Sequence, residues 1–176
     1  DYLVLSSRNI GKVNAYRMMF QQAPGEVVAY SDDDILFYPG WLDAHLRVLE
    51  TFPRAGMVTG VPVRHQFRYG NTYLDGYLSA FPDVTITRGR LIPDAWERDF
   101  LESTGRPELG PDVAPDDLLL TANGVSAFAT ASHFQFVAPR AVMLECVPAA
   151  FEPRLLREPV RAVDERVDAL GYARLS

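Results

Sequence analysis

Three consecutive acidic residues, Asp32, Asp33 and Asp34, directly follow the apolar run 27–30. Neighbouring carboxylates repel one another, and removing them from water beside a core costs still more. The run is therefore either an ordinary solvated turn or a place where a positive charge belongs. Much of the functional interpretation depends on which of these is true.

Few other side chains are suited to chemistry. Of the three histidines, His45 is expected on the surface or the flank of a helix, and His65 has nearby arginines and could approach a phosphate. His133 lies among aromatic residues, and a core position is favoured over a place in a ligand pocket. Trp96 is interpreted as a hydrophobic anchor, although an aromatic face could also cover a sugar ring. Cys146 lacks a basic neighbour, so a buried, inert thiol is expected.

Composition limits the classes of protein. A chain of 176 residues with 48% hydrophobic and 23% charged residues is typical of a single soluble domain. The formal net charge of -6 argues against nucleic acid as a partner. One cysteine excludes an internal disulfide. No apolar run approaches the roughly 20 residues of a membrane helix, and no signal peptide is apparent. A cytoplasmic location is expected, with peripheral membrane attachment of the full-length protein left open.

The first part of the chain alternates between strand and helix patterns. Apolar runs predict strands at 2–5, 27–30 and 57–63, and helical spacing predicts helices over 13–22 and from Pro39 to about Phe52. This alternation indicates an α/β fold with a mostly parallel sheet flanked by helices. Ligands of such sheets bind beyond the carboxyl ends of the strands. The three aspartates follow a strand and would lie at such an end.

The second part is less regular. A helix is predicted around "WERDFLES", followed by the loop "GRPELGPDVAPDD". A pair of strands is predicted within "GVSAFATASHFQFVAPRAVML", and a helix is expected to begin at Pro139. The last segment has Val163, Val167 and Leu170 at helical spacing, and Gly171 would end that helix.

The stretch "NIGKVNAYRMMFQQAPGEVVAYSDDDILFYPGWL", from Asn9 to Leu42, resembles the nucleotide-sugar glycosyltransferases of family two. It is similar to that family's succession of Asn-x-Gly-Lys, a helix, Ala-x-Gly-Glu, an apolar strand, Asp-x-Asp and Pro-Gly-Trp-Leu. The resemblance extends more weakly to "AGMVTG" and to the last segment. In all, it covers about 90 residues. The resemblance implies the Rossmann-like GT-A fold and transfer of a sugar, with inversion, from a nucleoside-diphosphate sugar to the hydroxyl of a glycan, lipid or small molecule.

The resemblance also implies roles for residues of this stretch. Asp34 would bind a metal ion, Asp32 would face the ribose or the metal, and Asp33, the middle residue, would lie near the sugar or be turned aside. Strand alternation would point Asp32 and Asp34 the same way, so that both reach one Mg²⁺ or Mn²⁺ bridging to a diphosphate. Asn9, Gly11 and Lys12 would approach the nucleotide, Gly11 by allowing close backbone contact and Lys12 as a point charge. Without the resemblance, Lys12 is simply an exposed lysine that opens a helix.

A general base for the acceptor hydroxyl is implied late in the domain, where the family often has a Glu-Asp pair before a helix. Here Asp164 and Glu165 are adjacent and are expected to open the final helix. Their order is reversed, which leaves open which of the two is the base, and Asp164 is preferred. The alternative is that acidic residues favour the first turn of any helix.

One domain is expected over 1–176, with a nucleotide-sugar and metal half at 1–65 and an acceptor half at 66–176. The chain begins inside a predicted strand and stops without a tail, so truncation at both ends is expected. In that case, this stretch expressed alone should bind nucleotide sugars poorly. Two alternatives stay open: a nucleotidyltransferase on a similar sheet, and a transferase-like domain that binds a carbohydrate or partner without catalysis.

Overall fold

The structure is a computed structural model that describes residues 3–62, 64, 72–108, 116–131, 133–148 and 159–176. The helices of these ranges are α1 Lys12–Gln22, α2 Trp41–Thr51, α3 Leu74–Ala80, α4 Asp94–Thr104, α5 Arg140–Cys146 and α6 Pro159–Ala169. The strands are β1 Val27–Ser31, β2 Ala55–Val58, β3 Thr85–Gly89, β4 Asp117–Ala122, β5 Val125–Phe128, β6 Gln135–Pro139 and β7 Ala173–Leu175. The described chain is thus a mixed α/β protein, as the sequence predicts. No described helix has the length and apolar character needed to cross a membrane.

The larger sheet has the order β1-β6-β2-β7. Strand β6 pairs antiparallel with both β1 and β2, whereas β2 pairs parallel with β7. The sheet is therefore mixed, and the expectation of a mostly parallel sheet needs correction. Strands β1, β2 and β7 do share one direction, but β6 is inserted between the first two. Periodicity identifies a buried strand without identifying its neighbours, so this insertion was not predictable from the pattern.

The smaller sheet is antiparallel, with the order β3-β4-β5. Asn123 and Gly124 connect β4 to β5 with φ of 48° and 75°. Positive φ at both central residues is the geometry that Asn-Gly favours in a tight hairpin. The predicted strands of the segment 124–144 both exist, but they do not pair with each other. Strand β5 lies in the smaller sheet and β6 in the larger one.

The predicted first strand is wrong for its described residues. Residues 3–5 form no strand, and Leu3 and Leu5 are 84% and 82% exposed. An apolar run becomes a strand only where another strand takes up its backbone hydrogen bonds. No described strand does so for these residues. Tyr2 lies outside the described residues.

Two hydrophobic clusters form the core. One joins α1, α5 and α6 to one face of the larger sheet, with Phe136, Met143 and Val167 fully buried. The other lies between the two sheets and includes Phe52 and Leu120. Cys146 is completely buried in the first cluster, and burial raises the pKa of its thiol to about 12, as an inert thiol requires.

Candidate functional site

The three aspartates lie at the carboxyl end of β1. The backbone amide of Asp32 donates to the Phe134 carbonyl at 2.8 Å, which extends the pairing with β6 by one bond. The strand itself ends at Ser31, and residues 33–34 form a turn. Strand alternation therefore does not orient Asp34, and that part of the expectation was wrong. Asp32 is half-buried, while Asp33 and Asp34 are exposed.

Asp32 is held by a cation and a phenol. The Lys12 ammonium donates to both carboxylate oxygens, at 2.7 and 2.8 Å, and the Tyr30 hydroxyl donates to Oδ1. Lys12 is the first residue of α1 and is preceded by a turn in which Asn9 Oδ1 accepts the Gly11 amide at 2.8 Å. Gly11 has a φ of 75°, a conformation that favours glycine. The structure thus brings together Asn9, Gly11, Lys12 and Asp32.

Tyr16 lies beneath this ion pair. It is one helical turn after Lys12 and is buried, with the Lys12 ammonium 5.8 Å from its ring centroid. Its hydroxyl donates to the backbone carbonyl of His133 at 2.9 Å. Burial, with the neighbouring Tyr30 and Asp32, raises the Tyr16 pKa, so this phenol stays neutral. Sequence reasoning missed Tyr16, although its i+4 spacing from Lys12 was the available signal.

The acidic turn suits a hard divalent ion. Asp33 and Asp34 offer exposed carboxylate oxygens, whereas Asp32 is already neutralised by Lys12. Among the described residues, no group of three or more His, Cys, Asp or Glu side chains is poised to hold a metal. Mg²⁺ is usually held by one or two carboxylates together with phosphate oxygens and water, and an all-protein cage is uncommon. The residues present therefore fit such an ion when a phosphate supplies further ligands.

A second polar cluster is formed by His133, α6 and β7. His133 Nδ1 lies 3.1 Å from Asp164 Oδ2, and Arg174 Nη1 lies 3.6 Å from the same oxygen. The fully buried Arg174 also donates from Nε to Asp168 at 2.9 Å. Burial raises the pKa of Asp168 to about 6, while the Arg174 guanidinium opposes that rise.

The late acidic pair is placed differently from the prediction. Helix α6 begins at Pro159, so Asp164 and Glu165 lie within the helix and do not open it. Asp164 is 5% exposed and faces His133. Glu165 is exposed, and the Arg161 guanidinium donates to it at 2.9 Å. His133 is itself partly exposed, so the preferred core position is only half correct.

A third polar group lies beside the end of β1, where Ser31 pairs with Gln135. Gln135 Oε1 accepts the Gly60 amide at 2.9 Å and lies 3.2 Å from His45 Nε2. His45 is therefore buried, and the expected surface position is wrong. Helix α2 packs through His45, Val48 and Leu49, while Leu42 in its first turn is 39% exposed. Sequence reasoning gave no signal for Gln135.

The aromatic candidates are also placed. Trp41 begins α2 and packs against Phe37, with ring centroids 4.1 Å apart and ring planes at 31°. Trp96 on α4 is 52% exposed, so it is not a buried anchor. His65 lies outside the described residues.

Comparison with known proteins gives one match. The model of the family described as Glycosyl transferase family 2 matches residues 2–103, more than half of the chain. No curated protein and no solved structure matches. The matched range contains Lys12 and the three aspartates, but it ends before His133 and Asp164. With the Asn9–Leu42 motif and the acidic turn at the end of β1, this match shows that the chain belongs to glycosyltransferase family 2.

Proposed function

We propose that this chain transfers a sugar from a nucleoside-diphosphate sugar to an acceptor hydroxyl, with Mg²⁺ or Mn²⁺ as cofactor and with inversion at the anomeric carbon. The observation that carries the proposal is the acidic turn at the end of β1, where two exposed carboxylates stand beside the Lys12–Asp32 ion pair. The family assignment supports a transferase and leaves the donor and acceptor undefined.

The proposed roles follow from charge and exposure. Asp34 would hold the ion, Asp32 beside it would face the ion or the ribose, and Asp33 would face the sugar. The ion supplies a Lewis acid that stabilises the departing diphosphate. Asn9 and Gly11 shape the turn that presents Lys12, whose ammonium neutralises Asp32 and brings positive charge towards an anionic nucleotide.

Inversion requires a group that takes the acceptor proton on the face opposite the leaving diphosphate. Asp164 and Glu165 are the sequence candidates for this role. Of the two, Asp164 contacts His133, whose backbone carbonyl accepts from Tyr16 beneath the Lys12–Asp32 pair, whereas Glu165 pairs with Arg161 on the surface of α6. The proposed acceptor side of the site is therefore the His133–Asp164 side.

The test uses the protein at its full natural length with Mn²⁺ and a set of donors: UDP-glucose, UDP-N-acetylglucosamine and GDP-mannose. Release of nucleoside diphosphate is expected with at least one donor and is expected to stop with EDTA. Asp34→Asn should lower the rate by about 100-fold or more, since a charge-stabilising group in the transition state is lost. Asp75→Asn, on the exposed first turn of α3, is the matched control and should leave the rate unchanged.

An equal rate for Asp34→Asn and the unaltered protein would overturn the metal role. Pyrophosphate release from a nucleoside triphosphate and a sugar 1-phosphate would instead assign nucleotidyl transfer. Binding of a carbohydrate without turnover, unaffected by Asp34→Asn or EDTA, would assign a non-catalytic module.

A further inference from the structure

His133 and Asp164 form a pair whose members differ in exposure. The two side chains lie 3.1 Å apart from Nδ1 to Oδ2, and they are 33% and 6% exposed. The imidazole thus lies at the surface with the carboxylate behind it. Arg174 lies behind the carboxylate in turn and is fully buried.

The contact fixes the tautomer of the imidazole. An ionised carboxylate only accepts hydrogen bonds, so the neutral ring must carry its proton on Nδ1. Nε2 is then a lone-pair acceptor, and it has no hydrogen-bond partner within the part of the chain that the structure describes. A partly exposed imidazole oriented by a buried carboxylate is the arrangement of a general base in many enzymes.

Asp164 is too enclosed to act as the general base itself. Its Oδ2 faces His133 and Arg174, and its Oδ1 is buried without a hydrogen-bond partner among the described residues. A base must come within about 2.6–3.2 Å of the hydroxyl that it deprotonates. Oδ1 is buried and Oδ2 is occupied by His133 and Arg174, so neither oxygen is open to an acceptor hydroxyl.

The pair is also adjacent to the acidic turn. Tyr16 donates to the His133 carbonyl at 2.9 Å, and the Asp32 amide donates to the next carbonyl, that of Phe134, at 2.8 Å. The backbone of 133–134 therefore connects both clusters at the end of β1. The segment that carries His133 is therefore anchored to the acidic turn that is proposed to hold the donor.

We propose that His133 is the general base of the sugar transfer proposed above, on which this inference rests, and that Asp164 is a positioning residue. Nε2 takes the proton of the acceptor hydroxyl while the acceptor oxygen forms its bond to the anomeric carbon. The bond from that carbon to the phosphate oxygen breaks, and its electron pair leaves with the nucleoside diphosphate. Opposite Asp164, the imidazolium then releases its proton to solvent.

The experiment compares His133→Ala, Asp164→Asn and the control Asp99→Asn, an exposed residue of α4, in the full-length protein. Turnover is followed as nucleoside-diphosphate release, and binding of the donor is measured by calorimetry with Mn²⁺. His133→Ala should lower turnover by about 10²- to 10⁴-fold with little change in donor affinity, because a general base acts in the transition state. Asp99→Asn should match the unaltered protein.

The tautomer and the separate effects on kcat and KM test the positioning role. The polar groups around His133 are Asp164 from α6, Tyr16 from α1 and Arg174 from β7. Asp164→Asn should lower kcat by a smaller factor than His133→Ala and leave the donor KM unchanged, because the imidazole is retained but is no longer held in the Nδ1–H tautomer. Nitrogen-15 NMR of the unaltered protein should show His133 in the Nδ1–H tautomer.

Three results would overturn the proposal. The first is that His133→Ala and the unaltered protein release nucleoside diphosphate at the same rate. That result rejects His133 as the base and leaves the proposed function standing. The second is an Nε2–H tautomer for His133 in the unaltered protein, a result that does not depend on the folding of any variant. The third is that the unaltered protein neither binds a donor nor releases nucleoside diphosphate. That result rejects the proposed function together with this inference.

Discussion

The ion pair between Lys12 and Asp32 connects the start of α1 to the end of β1. Lys12→Met would leave Asp32 half-buried beside Tyr30 without its cation. Both partners of the pair are about one-third exposed, so the stability cost should be only about 1 kcal/mol. The loss of donor binding free energy should exceed this loss of unfolding free energy, because the Lys12 ammonium faces the proposed nucleotide site.

Lys12→Arg is the matched variant that keeps the positive charge. It should recover most of the stability and only part of the affinity, since the planar guanidinium cannot reproduce a compact ammonium. Urea unfolding and calorimetry with UDP and Mn²⁺ check the two effects. Unchanged UDP binding by Lys12→Met would remove Lys12 from the site.

For individual residues, the sequence predicts best those candidates that belong to one continuous motif. The structure places Asn9, Gly11 and Lys12 in one turn and pairs Lys12 with Asp32, while their role at a nucleotide stays a prediction. Sequence reasoning missed Tyr16, and it misplaced His45. The partner of His45 is Gln135, which is distant in sequence, and a contact of that kind depends on tertiary packing that periodicity does not encode.

The loop before α4 is fixed to β4 by a buried carboxylate. Asp117 accepts from Arg64 Nε at 2.8 Å and from the backbone amides of Leu91 and Ile92 at 2.7 and 2.8 Å. Arg64 also pairs with Glu97 on α4. Asp117→Ala would leave a buried guanidinium without its main partner, so we expect a loss of about 3–5 kcal/mol in urea unfolding. Asp116→Ala, an exposed neighbour, is the matched control and should cost little.

The same carboxylate should make stability depend on acid pH. Burial alone would raise the pKa of Asp117, but the Arg64 guanidinium and the two amides outweigh burial and lower it. The stabilisation is therefore fully present above the unfolded-state pKa of about 3.9 and is lost as pH falls through the lower folded-state value. The difference in unfolding free energy between the unaltered protein and Asp117→Asn should shrink over that acid range. A difference that stays constant down to about pH 2 would contradict the lowered pKa.

Gly56 in β2 tests the packing of the larger sheet against α6. A Cβ at this position would lie 2.6 Å from Tyr172 Cβ and 3.1 Å from Val167 Cγ1. Gly56→Ala should therefore cost about 1–3 kcal/mol through overpacking. Gly76→Ala in α3 is the matched control, because no atom lies within 4 Å of its Cβ position. That variant should instead gain up to about 1 kcal/mol from helix propensity. Thermal unfolding should therefore show a lower melting temperature for Gly56→Ala and a higher one for Gly76→Ala.

Most helices and strands follow from the sequence, because turn residues and helical spacing are local signals. Helix α1 and strand β1 agree closely with the prediction, and Gly40 and Gly171 mark helix ends with positive φ. The start of α6 was misjudged, since a carboxylate in the middle of a helix resembles one that opens it. The smaller sheet was not predicted as a unit, because its strands β3 and β4 are far apart in sequence, β3 ending at Gly89 and β4 beginning at Asp117.

At the scale of the whole molecule, the proposed site draws on residues from both ends of the described chain. Binding of UDP and Mn²⁺ to the folded state should stabilise the whole fold by mass action, by about 2.7 kcal/mol at a ligand concentration one hundred times the dissociation constant. Thermal unfolding with UDP, with and without Mn²⁺, checks this effect. The increase should vanish in Asp34→Asn and persist in Asp75→Asn. Equal stabilisation of both variants would place binding away from the acidic turn.

The two consecutive carbonyls of His133 and Phe134 bind the donor side of the proposed site, one through Tyr16 and the other through the Asp32 amide, while the His133 imidazole faces Asp164 on the acceptor side. The length of the connection from β5 to β6 therefore sets the distance between the donor side and the acceptor side of the proposed site. Adding one residue there would shift both anchors at once, even with every polar side chain retained. Natural variants of this protein should consequently tolerate insertions in the hairpin turn at 123–124 and reject them in this short connection.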